Sequence, residues 1–118
     1  MLNVCFNKVV CFDVDDTLVY QTPPKHYSYN ADVVMIWNGQ KIPLWIHKDH
    51  VAKLKEFKSK GYGIIVWSQQ GNDWATCVIN AIGLFNFVDF AITKPEECYD
   101  DLPFTDWTTR KFIGESND

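Results

Sequence analysis

Two rhythms of apolar and polar positions divide the chain. The run from Lys8 to Phe12 (Lys8-Val9-Val10-Cys11-Phe12) follows a break at Asn7-Lys8 and scarcely alternates. It predicts a central strand buried on both faces, as in a parallel sheet. Residues 19–30 are polar, aromatic and proline-bearing, hence loop. Asn38-Gly39 then separates two apolar runs, Val33–Trp37 and Gln40–Ile46. Asn-Gly suits a two-residue type I′ turn, in which both central residues need positive φ, so 31–47 is read as a β-hairpin. Its register puts Val33, Met35, Trp37, Ile42 and Leu44 on one face and Val34, Ile36, Lys41, Pro43 and Trp45 on the other. Pro43 assigns its strand to a sheet edge.

Helical spacing takes over after the hairpin. Asp49 is the expected N-cap of a helix from His50 to Lys60, with Val51, Leu54 and Phe57 inward and Gly61 closing it. Gly63–Trp67 reads as a second buried strand ending at Ser68. A helix from Asn72 or Asp73 to Ile82 follows, with Trp74, Val78, Ile79 and Ile82 as its apolar face. Phe87–Ile92 is a third strand, Glu97-Cys98-Tyr99 a fourth, and Trp107–Ile113 one more short element. Strands alternating with helices give an α/β class: a Rossmann-like three-layer domain with a mostly parallel central sheet and a hairpin flap.

Composition narrows this picture. At 118 residues the chain fits one domain (1–118), with 114–118 expected to be a disordered tail. Hydrophobic residues at 47% against 22% charged exclude a disordered chain, and a net charge of −4 argues against a bulk electrostatic grip on nucleic acid. Cys5, Cys11, Cys77 and Cys98 show no zinc-type spacing, and three lie in apolar runs, so reduced core cysteines and a cytoplasmic location are expected. No apolar run approaches the roughly 20 residues of a membrane span, and Met1-Leu2-Asn3 does not open a signal peptide.

The candidate chemistry lies where the strands end. Asp13, Asp15 and Asp16 crowd three carboxylates into four positions directly after an apolar strand. Buried acids are costly and raise one another's pKa, unless a divalent cation such as Mg²⁺ gathers their oxygens. In parallel sheets ligands bind at the carboxyl ends of strands. There the chain places Asp13, Asp15 and Thr17, then Ser68, Lys94 and Asp100-Asp101. A carboxylate to attack, a hydroxyl to donate and a lysine to offset charge suit phosphoryl transfer.

These residues resemble a family. Phe12-Asp13-Val14-Asp15-Asp16-Thr17-Leu18 is similar to motif I of the haloacid dehalogenase (HAD) superfamily. Val66-Trp67-Ser68 resembles its motif II, Lys94-Pro95 motif III, and Tyr99-Asp100-Asp101 motif IV, all in order across residues 8–101. The chain looks most like the short, capless HAD-like phosphatases of tailed phages, which would place it in a host cytoplasm. The resemblance implies a Mg²⁺-dependent phosphatase in which Asp13 is the nucleophile and Asp15 the general acid and base. Lys94 would hold the charge of nucleophile and phosphate, and Thr17 and Ser68 would support the phosphate. Mg²⁺ would be held by Asp13, the Asp15 carbonyl and Asp101, with Asp100 beside it; Asp16 is read as a turn residue. The implied substrate is a phosphomonoester, either a small molecule or a nucleic-acid end, and no membrane is implied.

The chain departs from the pattern in three places. Only five residues separate Lys94 from Asp100, whereas a parallel crossover takes about a dozen or more. Thr105 stands where a further acid or Asn is usual, with Asp106 one beyond. The 31–47 hairpin is the only candidate cap, which leaves the site open or completed by a second subunit through that hairpin. Two other readings stay open: a weak or inactive HAD-like binding module using the hairpin, and a receiver-like domain, which would carry its Asp on the third strand. His26, His47 and His50 are scattered and are assigned no role.

Overall fold

The protein is described by a computed structural model in which residues 5–114 are placed well enough to describe. The 115–118 part of the expected tail lies outside the described residues, while Gly114 is inside them. The chain runs β1 (Val9–Asp13), β2 (Val19–Tyr20), β3 (Val33–Trp37), β4 (Gln40–Ile46), α1 (Lys48–Ser59), β5 (Gly63–Ser68), α2 (Asn72–Ala81) and β6 (Phe90–Thr93). Short 3₁₀ turns cover Phe85–Phe87 and Phe104–Asp106. A parallel sheet in the order β1-β5-β6 pairs Asp13 with Trp67 and Ser68 with Thr93 at its carboxyl end. A second, antiparallel sheet has the order β2-β4-β3. The α/β class holds, compatible with a Rossmann-like arrangement.

The parallel sheet has one well-packed face. Phe12, Ile64 and Val66 are buried there with Leu54 of α1 and Trp74, Val78 and Ile79 of α2, and Val10 and Ala91 pack against the same cluster. Right-handed crossovers stepping one way from β1 to β5 to β6 place both helices on that face. The intervening Cys11, Ile65, Trp67, Phe90 and Ile92 are half-buried or exposed. The described residues therefore give this sheet one helical layer, where a three-layer domain needs two.

Three expectations are corrected together. β1 is an edge strand rather than a central one, and Val9 is 47% exposed. All four cysteines are free thiols; Cys5, Cys11 and Cys98 are exposed rather than core, and only the half-buried Cys77 packs against the core. Residues 97–99 form no strand, and Tyr99 is 93% exposed. The reason is common to β1 and 97–99: five residues cannot make a parallel crossover, so no further strand covers β1.

The remaining differences are local. α1 starts at Lys48 with His47, not Asp49, as its cap: the His47 ring accepts the His50 N–H at 3.1 Å. β6 begins at Phe90 because residues 85–87 are spent in a 3₁₀ turn that continues from Leu84. β4 is central in its sheet although it carries Pro43. The two-residue β2 reaches only Trp45 and Ile46, so Pro43 is flanked by β3 alone and no ladder bond is lost. The hairpin turn is as expected, with Asn38 at φ 48° and Gly39 at φ 78°. Its register holds too: Met35 and Leu44 are in the core, and Val33, Trp37 and Ile42 pack against it. The Trp45 indole is buried and donates to the Ser28 carbonyl at 2.9 Å. The hairpin is thus an integral wall of the core rather than a loose flap.

No regular element forms over Trp107–Ile113, but its end is fastened. The His47 and His50 rings stack at 3.7 Å, and Phe112 meets both edge-on. The Ile113 N–H donates to His50 Nε2 at 2.8 Å, and the Ile113 carbonyl lies 3.0 Å from His47 Nε2. Because His50 Nε2 accepts, its Nδ1 carries the proton and donates to the Thr17 carbonyl at 2.8 Å. His50 must be neutral for this clamp to close. Burial lowers its pKa below the ordinary histidine value, opposed by the Thr17 bond and Asp49 and assisted by His47. The unfolded chain therefore takes up this proton first as pH falls below about 6.5. The stabilisation is complete above that value and is lost as pH drops toward the lower folded value. Thermal unfolding at about pH 7.5 and about pH 5.5 checks this: the midpoint falls on acidification in the wild type and falls less in His50→Asn. Equal falls in the two proteins would remove His50 from the account.

Candidate active site

The site is built on the turn that follows β1. The Val14 carbonyl accepts the N–H groups of Leu18 at 2.9 Å, Val19 at 3.2 Å and Thr17 at 3.3 Å. Closing so tight a loop needs one left-handed residue, and Asp16 supplies it at φ 63°, with its own N–H on the Val19 carbonyl at 2.8 Å. Asp16 is thus the turn residue the sequence suggested. The loop leaves Asp13 at the strand end and returns Asp15 beside it, both half-buried.

Lys94 reaches Asp13 through the end of β5. Its backbone N–H donates to the Ser68 carbonyl at 2.9 Å, extending the β5–β6 ladder past Thr93. From there its ammonium pairs with Asp13 Oδ1 at 3.6 Å. The same junction anchors α2: Gly71 N–H also donates to Ser68 O, and Thr93 Oγ1 accepts the Asn72 N–H at 3.1 Å. A threonine on β6 thereby caps a helix whose own N-cap, Gly71, has no side chain. The short connection beyond Lys94 does not prevent Lys94 from reaching Asp13.

Asp15 is held by three donors. The Trp74 indole N–H reaches both carboxylate oxygens, at 3.1 and 3.3 Å. Gln21 donates to Oδ1 and Gln70 to Oδ2, each at 3.3 Å. Burial raises the pKa of both acids. For Asp13 the Lys94 charge pulls back and the Asp15 charge pushes further up. For Asp15 the Gln21, Trp74 and Gln70 bonds oppose the rise and Asp16 adds to it. A carboxyl with a raised pKa can be carried protonated into a reaction and donate there.

The other expected site residues are distributed unevenly. Ser68 is 1% exposed and its Oγ accepts the Gln70 N–H at 3.0 Å, so here it shapes the β5–α2 turn. The Thr17 carbonyl is engaged by His50. Asp100 and Asp101 lie in the exposed segment after β6, where Asp100 Oδ1 accepts the Leu102 N–H at 2.9 Å. Among the described residues no group of three or more His, Cys, Asp or Glu side chains gathers to hold a metal ion. Asp13, Asp15, Asp100 and Asp101, from which the Mg²⁺ ligands are expected, thus do not gather as one such group.

Asp15, Asp16, Gln21, Thr22 and Gln70 line a shallow recess of about 320 Å³. A larger hollow of about 530 Å³, lined by Tyr20, Tyr27, Trp45, His47 and Ile113 among others, holds none of Asp13, Asp15, Ser68 or Lys94. Of these four residues only Asp15 lines the smaller, more polar recess. Trp74, Gln21 and Gln70 are the residues that sequence reasoning missed. Trp74 at the start of a helix reads as core, and two surface glutamines carry no signal of their own.

Comparison with curated proteins and with solved structures found no match. The model of one family, the NLI interacting factor-like phosphatases, matches residues 8–102. That span contains the β1 turn with its two acids, the Ser68 junction and the lysine that returns to Asp13. By this match the chain belongs to the NLI interacting factor-like phosphatases, a HAD-like phosphatase family.

Proposed function

We propose that this chain is a phosphomonoesterase working through an aspartyl-phosphate. The observation that carries the reading is the Lys94–Asp13 ion pair, with Asp15 held two residues further on by its own donors. An Asp13 oxygen attacks phosphorus while the bond to the leaving oxygen breaks, and that oxygen takes its proton from the Asp15 carboxyl. Water then attacks the aspartyl-phosphate, and its proton passes to the Asp15 carboxylate. The bond between phosphorus and the Asp13 oxygen breaks, releasing phosphate and restoring both acids. Lys94 offsets the charge on Asp13 and the phosphoryl oxygens throughout.

Magnesium belongs to the proposal through the family and through the like-charged Asp13/Asp15 pair. It would supply charge neutralisation at the phosphoryl oxygens, with Asp13 at the end of β1 and the Asp15 carbonyl in the turn after it as ligands. The remaining ligands would have to come from a rearranged 100–101 segment. The shallow recess beside Asp15 suits a substrate whose bulk stays outside, and a nucleotide or nucleic-acid end is the class proposed. The dispersal of Asp100 and Asp101 favours a second reading, a HAD-like module that binds without turning over.

Turnover of an aryl phosphate and of 3′- and 5′-phosphorylated oligonucleotides, with Mg²⁺ and with a chelator, separates these readings. The phosphatase reading expects Mg²⁺-dependent release of phosphate that falls to background in Asp13→Asn. Undiminished turnover by that variant would overturn the nucleophile, and no turnover on any ester would favour the binding module. Lys94→Ala is expected to lower kcat/KM by about 10²-fold, the scale of losing one aligned charge-stabilising group. Activity within a few-fold of wild type would show that another cation serves Asp13.

A further inference from the structure

Nothing in the mechanism above says what keeps the acid/base carboxylate aimed at the leaving oxygen. Gln21 and Gln70 are exposed side chains at 3.3 Å, free to exchange their bonds for water. Trp74 differs on both counts. It is 3% exposed, and its N–H makes the shortest of the bonds to Asp15, at 3.1 Å. Its ring is fixed on the other side by Trp37 of β3, which meets it edge-to-face at 5.1 Å and 89°. Cys77, one helical turn on, lies 3.6 Å from the Ile36 carbonyl and ties the same stretch of α2 to β3. Trp74 is therefore a donor with almost no freedom to turn away.

We propose that Trp74 is a positioning residue for proton transfer, its indole N–H holding the Asp15 carboxyl in line with the leaving oxygen while the hairpin, through Trp37, holds the indole. The inference rests on the phosphatase reading. It gives the hairpin a part in the chemistry: β3 supports the acid/base residue from behind instead of capping the substrate from above. A bifurcated N–H on both carboxylate oxygens restricts rotation of the carboxyl plane, which a single bond to one oxygen does not. Misplacement of a reacting group by about an ångström can cost roughly 10²-fold in rate. The cost falls only on steps that need the proton.

Leaving-group dependence reads this directly. An alkyl phosphate expels an alkoxide that must be protonated, whereas p-nitrophenyl phosphate expels a stable phenolate unaided. Trp74→Phe keeps an aromatic ring against Trp37 and removes the N–H. It is expected to lower kcat/KM on the alkyl ester by roughly tenfold, a part of what a general acid contributes. On the nitrophenyl ester kcat/KM stays within about twofold, because it reports expulsion of the leaving group and not the later hydrolysis in which Asp15 serves as base. Should the smaller ring cost the fold, judged by thermal unfolding, Trp74 replaced by benzothienylalanine keeps the indole shape without the N–H and reads the same ratio. Equal losses of kcat/KM on both esters, or no loss on either, overturn the positioning role alone. A wild type that turns over neither ester overturns the phosphatase reading, and this inference with it.

Discussion

The site hangs from one carbonyl. Val14 O accepts three successive N–H groups, and that knot folds the chain back within five residues of the end of β1. Without it the strand would run straight on, leaving Asp15 on the same face as Asp13 but about 7 Å further along and past the end of β5. With it, both carboxylates come to the carboxyl edge of the sheet while the apolar partners Val14, Leu18 and Val19 are wholly buried beneath them. The loop is held from outside as well. Thr17 O takes the His50 proton, and His50 in turn holds Ile113, so the start of α1 and the end of the described chain both bear on the motif turn.

The second constraint is economy of length. Ordinarily a parallel sheet is covered on both faces. Here both helices cover one face, and Cys11, Ile65, Trp67, Phe90 and Ile92 on the other are left half-buried or exposed. The connection after Lys94 is too short to carry a helix and return a strand beside β1. What survives is the half of the sheet that brings Asp13, Ser68 and Lys94 to one edge. The acidic pair at 100–101 lies in an exposed irregular segment. Asp13 and Lys94 are thus brought together by the ends of β1, β5 and β6.

Much of this was legible in the residues. The hairpin with its face assignment and I′ turn, the two helices, the strands ending at Asp13 and Ser68, and the turn role of Asp16 follow from period and local φ requirements. Such features depend on neighbours a few residues apart, and the chain states those directly. The family, too, was readable from ordered motifs, and its model matches residues 8–102. Less legible was anything that depends on which element lies beside which. Cys11 reads as core in an apolar run, yet is exposed because both helices pack on the other face of the sheet. Lys94 reads as doubtful from its spacing, yet reaches Asp13 because its backbone continues the ladder onto Ser68.

The sequence by itself determined both helices, the hairpin and its register, and the chemical identity of the edge, two acids, a serine and a lysine in phosphatase order; it missed the short β2 within 19–30, read as loop. Only the tertiary structure decided how the edge is supported. Trp74 and Trp37 are separated by more than thirty positions and look like two ordinary core aromatics. Folding turns one into a donor to Asp15 and the other into its brace. The same holds for His47, His50 and Ile113, which no local pattern connects. Hydrogen bonds and ring contacts between distant segments form only once the shared core has set their separation. Periodicity records which side of an element is apolar, and it carries no information about what the polar atoms on that element will meet.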